Sequence, residues 1–97
     1  MIYKIDKTDL VICDKWGFRL KLIAEKVAFA TFDDNQNIFL VTFLNGEVKT
    51  KDTNGTGLRF ICENATEARF SGTDITVRTK DGKNQLRDKN GFVLRSF

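Results

Sequence analysis

Asp14-Lys15-Trp16-Gly17, Asp52-Thr53-Asn54-Gly55 and Asp88-Lys89-Asn90-Gly91 share one D-x-x-G frame, and each is followed by a leucine and a basic residue: Leu20-Lys21, Leu58-Arg59 and Leu94-Arg95. The aspartates stand 38 and 36 residues apart, from 14 to 52 and from 52 to 88. A period of this size marks a supersecondary unit that buries its apolar face against copies of itself. Aspartate at the first position of a turn accepts backbone N–H groups, and glycine takes the left-handed conformation that returns the chain to the ladder. The frame therefore predicts a strand, a hairpin and a strand, three times over.

The sequence around the frames alternates with a strand period almost throughout. Strands are expected at Ile2–Ile5, Asp9–Asp14, Phe18–Ile23, Lys26–Phe32, Asn37–Leu44, Glu47–Lys51, Gly57–Ile61, Glu67–Phe70, Asp74–Thr79, Gln85–Arg87 and Phe92–Phe97, all rich in β-branched and aromatic residues. The near-continuous apolar run Ile38-Phe39-Leu40-Val41 with Phe43 suits a strand buried on both faces. Asn45-Gly46 and Asp81-Gly82 predict two-residue type I′ turns. Only Leu22–Val27 is compatible with a helical turn.

Aligning the frames gives two four-stranded meanders, Val27–Ile61 and Ala65–Phe97, and a shorter first unit whose three strands match the last three of the others. The expected architecture is a single all-β domain over residues 1–97, with units 1–23, 24–61 and 62–97. It would be built as propeller-like blades, completed by oligomerisation, or as a small barrel or sandwich. Nine phenylalanines are available to fill its core.

The segments Ala65-Thr66-Glu67-Ala68-Arg69-Phe70-Ser71, Asp74–Thr79, Asp81-Gly82, Leu86-Arg87-Asp88, Gly91 and Leu94–Phe97 together resemble one blade of a WD40-type β-propeller, and Val27–Ile61 resembles it likewise. The resemblance implies meanders of antiparallel strands arranged as blades. The chain departs from that family's signature. It has no histidine, hence no G-H pair, and the W-D pair is replaced by Cys13-Asp14, Lys51-Asp52 and Arg87-Asp88. Propellers need about four to eight blades, more than this chain supplies, so the resemblance leaves two solutions: two chains closing a six-bladed ring, or meanders that curl into a small barrel or stack as a sandwich within one chain.

Composition narrows the chemistry. The absence of histidine removes the usual base at neutral pH and the commonest metal ligand. Cys13 and Cys62 are too few for a disulfide scaffold and read as buried small hydrophobes. No catalytic set, metal site or cofactor site is expected, and the aspartates read as turn residues. No signal peptide is visible, so a reducing cytoplasm is the working location. The net charge of +3, with 16 basic and 13 acidic residues interspersed, permits nucleic acid binding without demanding it. The longest basic bias, Arg78–Lys89, is interrupted by Asp81 and Asp88.

Function is sought where one unit departs from the others. Trp16 stands where the other frames carry Asn54 and Asn90. Asparagine tolerates a left-handed turn and tryptophan does not, so Trp16, with Phe18 beside it, reads either as an exposed interface anchor or as a cover over a sheet edge. Lys21, Arg59 and Arg95 recur at one level of each unit, suited to an acidic partner or phosphates or to protecting sheet edges. The expected function is a non-enzymatic binding module acting on a protein partner, of the kind a phage or mobile element uses as an inhibitor, and forming a homo-oligomer. The alternative is an oligomeric sponge for an anionic small molecule such as a nucleotide, and after it a nucleic-acid-binding protein.

Overall fold

Each D-x-x-G frame closes the same hairpin in the computed structural model, which describes all 97 residues. Asp14 Oδ1 accepts the N–H groups of Trp16 and Phe18, at 2.9 and 3.0 Å. Asp52 does the same for Asn54 and Thr56, both at 2.9 Å, and Asp88 for Asn90 and Phe92, at 2.9 and 3.0 Å. Gly17, Gly55 and Gly91 take φ of +88°, +83° and +92° and donate their N–H to the carbonyl of the frame aspartate. The same backbone pattern closes Phe43–Glu47 and Thr79–Lys83, where only Gly46 and Gly82 are left-handed. These are three-residue loops with a glycine bulge, not the two-residue type I′ turns expected, which need φ > 0 at both central residues.

Eleven strands result: β1 Ile2–Asp6, β2 Asp9–Cys13, β3 Arg19–Ala24, β4 Val27–Asp33, β5 Ile38–Phe43, β6 Val48–Asp52, β7 Gly57–Cys62, β8 Ala65–Ser71, β9 Asp74–Thr79, β10 Asn84–Arg87 and β11 Val93–Ser96. Every strand pairs antiparallel with its neighbour in sequence, in three separate sheets: β1-β2-β3, β4-β5-β6-β7 and β8-β9-β10-β11. No strand pairs across from one sheet to another, so the barrel alternative is set aside. The helical turn suggested for Leu22–Val27 does not form. β3 runs to Ala24, and the chain re-enters β4 through Lys26, at φ +56°.

The middle sheet is sandwiched between the other two. Leu10, Ile23 and Ala24 of the first sheet form one core with Val27, Phe39 and Val41 of the second, and Tyr3 stacks edge-on against Phe39 with ring centroids 5.3 Å apart. Leu40, Val48, Ile61 and Cys62 form another core with Ala65, Ala68, Ile75 and Val77 of the third sheet. β5 thus sends alternate residues into two cores, the burial on both faces that its apolar run predicted. Backbone contacts tie the sheets together at equivalent points. Val27 N–H donates to Thr8 O at 2.8 Å, and Ala65 N–H to Gly46 O at 2.9 Å.

The phenylalanines divide. Phe39 is fully buried, Phe29, Phe32, Phe43 and Phe70 are half-buried, and Phe18, Phe60, Phe92 and Phe97 are exposed. Their number alone predicted core, but the stack has only two inter-sheet cores, and the four exposed rings lie on or beside the outermost strands.

Candidate functional site

β3, β7 and β11 are the edge strands that follow each D-x-x-G hairpin, and each carries a bulge at the same place. Ile12 pairs with Lys21 and Cys13 with Arg19, which leaves Leu20 as the extra residue. Thr50 pairs with Arg59 and Lys51 with Gly57, leaving Leu58. Leu86 pairs with Arg95 and Arg87 with Val93, leaving Leu94. A bulged residue is re-aimed relative to its strand. These three leucines are 65%, 51% and 53% exposed. They read in sequence as part of the structural frame; the bulge that turns them outward is not visible in a period-two pattern.

The surface they belong to is apolar. Of fourteen large exposed hydrophobic residues, ten lie on the three outer strands or flank them: Trp16, Phe18, Leu20 and Leu22; Leu58 and Phe60; Phe92, Val93, Leu94 and Phe97. Soluble proteins scatter single exposed hydrophobics without consequence; here ten of the fourteen fall on one kind of element.

Trp16 and Phe18 share the first hairpin and are 72% and 71% exposed. Trp16 does not fold back over an edge; the Lys15 ammonium sits 4.6 Å from its ring centroid. Trp16 gives up no left-handed conformation that its counterparts use. Asn54 and Asn90 are not left-handed, because φ is positive only at the following glycine. Asn54 instead uses its side chain: its Oδ1 accepts the Lys21 ammonium at 2.7 Å, joining the second sheet's hairpin to the first sheet's edge strand.

Lys21, Arg59 and Arg95 occupy equivalent positions on three different sheets, and the structure does not gather them. Lys21 is engaged by Asn54, and Arg95 stacks over Phe97 at 5.2 Å. Arg59 lines a cleft of about 370 Å³ between the second and third sheets, with Lys89 and Asn90 beside it and Ile38, Phe70 and Ile75 in its walls.

The basic stretch Arg78–Lys89 contributes Lys80, Lys83 and Arg87 to a larger cleft of about 770 Å³, together with Glu63 and Asp81. Each cation there already has a partner. Lys80 Nζ donates to Asn45 O, Lys83 pairs with Asp81, and Arg87 is held by Gln85 and by Gly91 O at 2.6 Å. Cys62 lines the same cleft, and burial pushes its thiol pKa up, which favours the unreactive protonated form. Asp33 binds Asn35 N–H and the Gln36 amide within its own loop.

One charged cluster escaped sequence reading. Arg19 sits opposite Cys13, yet its guanidinium runs back along the sheet to Asp6 and Asp9 at the far end of the β1–β2 hairpin, with contacts of 3.0 and 3.2 Å. The Arg19 hydrogen bond and charge hold Asp6 below the usual carboxylate range, and Asp6 in turn raises Arg19. Gly57 and Val93 stand at the equivalent positions, so this strap belongs to the first sheet alone.

No helix is long and apolar enough to cross a membrane. Neither a protein-family model nor a curated protein matches the chain.

Proposed function

We propose that this chain is a non-enzymatic binding module that engages a protein partner along its outer strands. The observation that carries the reading is the concentration of exposed apolar side chains on β3, β7 and β11 and their flanks, with Leu20, Leu58 and Leu94 turned outward by three equivalent bulges. Trp16 and Phe18 extend that surface as aromatic anchors of the kind that dominates protein interfaces. Lys21, Arg59 and Arg95 each follow one of these leucines on its strand. An inhibitor of the phage or mobile-element type is one module that would act in this way.

The partner we favour is a different protein, not further copies closing a ring. Ring closure would bury Lys4 and Asp6 on one end of the stack against Asp74 and Arg78 on the other. The anionic-ligand alternative has less support, since the cations of the larger cleft and Lys21 are already bound within the chain.

The test is capture of partners by the wild-type chain and by the triple variant Leu20→Ser, Leu58→Ser, Leu94→Ser, with Lys7→Ser as a surface control. The triple variant should keep its fold and lose the partner, while the control keeps it. Retention of the partner by the triple variant sinks the reading. Binding that weakens steeply with salt instead moves the assignment to phosphate recognition.

A further inference from the structure

The first sheet has one edge that its two companions cover. Ile12, Thr50 and Leu86 each stand two residues before a frame aspartate, and they pair with Tyr3, Leu40 and Thr76. β1, β5 and β9 are therefore equivalent strands, with Ile2, Phe39 and Ile75 at one position and Lys4, Val41 and Val77 at another. β5 and β9 are paired on both sides, whereas β1 pairs only with β2. Burial differs as well: Phe39 and Ile75 face the preceding sheet and lie in the cores, while Ile2, with no sheet beneath it, is 50% exposed.

The strands that cover β5 and β9 follow one pattern. β4 sets Ala30 opposite Val41 and Phe32 opposite Phe39; β8 sets Ala68 opposite Val77 and Phe70 opposite Ile75. Each is seven residues long, and each begins with a bulge, at Val27–Phe29 and at Ala65–Glu67. The chain thus contains two worked examples of the segment this kind of edge accepts. Two of the devices that protect exposed edges are missing from β1. It has no proline and no bulge against β2, and its one lysine is turned aside, with Lys4 Nζ donating to Gly17 O at 3.3 Å.

We propose that β1 is a strand-accepting site for an extended segment of a partner protein, added antiparallel along its free edge. The incoming segment places a small residue opposite Lys4 and an aromatic ring opposite Ile2, at the positions equivalent to those where Ala68 meets Val77 and Phe70 meets Ile75. Main-chain hydrogen bonds supply the affinity, and the aromatic on Ile2 supplies the selectivity, as in recognition by strand addition generally. The site is distinct from the outer strands and stands whether or not they bind a partner.

The probe is a capped synthetic peptide with the sequence of Ala65–Ser71, added to the full chain and followed by residue-resolved amide hydrogen exchange. At a peptide concentration ten times its Kd, the solvent-facing amides of β1 should exchange about tenfold more slowly, with the other edge strands unchanged. A peptide carrying Phe70→Ser should bind more weakly, and so should the parent peptide on an Ile2→Ser chain. N-methylation of alternate residues should abolish binding in one alternation and spare it in the other, since only one row of amides faces β1. Absence of protection at β1, protection at β9 through displacement of β8, or indifference to both serine substitutions overturns the proposal.

Discussion

Gly17, Gly55 and Gly91 share a left-handed backbone, but their surroundings differ. A Cβ on Gly17 meets nothing within 4 Å, and one on Gly55 lies 3.1 Å from the Ile23 carbonyl oxygen. At Gly91 it runs into the Ile61 carbonyl. Gly17→Ala should therefore cost only the backbone term, about 1–2 kcal/mol. Gly55→Ala should cost somewhat more and Gly91→Ala most, read as falling urea midpoints at unchanged slope. Equal losses at all three would show that the glycines serve only their turns. The turn role was legible in the D-x-x-G spacing; the close approach was not, because it depends on which neighbouring strand packs there. Asp6 offers a second test. Its pKa is depressed by Arg19, so its contribution is present above the unfolded carboxylate pKa and lost as pH falls through the lower folded value. Asp6→Asn should flatten that part of the acid limb of stability against pH, an effect confined to pH below the ordinary carboxylate range. An acid limb identical to wild type would mean that the Arg19 strap contributes nothing to folding.

At the scale of the element, alternation and turn chemistry were enough to find all eleven strands to within about two residues. What they missed was the length of the Asn45-Gly46 and Asp81-Gly82 loops and, separately, the bulges after the D-x-x-G hairpins that expose Leu20, Leu58 and Leu94. The candidate site was legible in part, since Trp16, with Phe18 beside it, stood out by departing from the frame, while the leucines were hidden by conforming to it. β5 shows the opposite limit. Its apolar run declared a doubly buried strand, yet Thr42 lies fully buried within it with no hydrogen-bond partner for its hydroxyl. A buried unpaired hydroxyl forfeits its solvation without compensation. Thr42→Val keeps the shape and removes the polar atom, so it should stabilise the chain by about 1 kcal/mol, seen as a rise in Tm. A drop in Tm would imply that the hydroxyl is satisfied in solution.

Across the whole molecule, the two ends of the stack differ from its interior at positions the pairing makes equivalent. On the face of β1 turned away from the middle sheet, Lys4 stands where β5 and β9 place Val41 and Val77. Asp6 continues that face, and the Arg19 strap to Asp6 and Asp9 lies along the same sheet. On the face of the third sheet turned away from the middle one, Thr76 stands at the level of Leu40, Arg78 at that of Thr42 and Asn84 at that of Val48. Stacked repeats need polar outer faces on their terminal units, because an apolar face left bare recruits another copy. The substitutions at both ends supply such faces, and we propose that they keep the stack from adding further copies. Restoring the interior residues should undo this. The double variant Thr76→Leu, Asn84→Val gives the third sheet the Leu40 and Val48 of the second, and it should self-associate in a concentration-dependent manner by sedimentation equilibrium while the wild-type chain keeps a smaller mass under the same conditions. The circular dichroism of the variant should remain that of a β protein, since both positions lie on a free face and the change removes only the Thr76 hydroxyl's 3.3 Å hydrogen bond to Arg69 O. If the variant keeps the wild-type mass at every concentration, polarity is not what ends the stack, and the limit lies in the geometry of the edge strands.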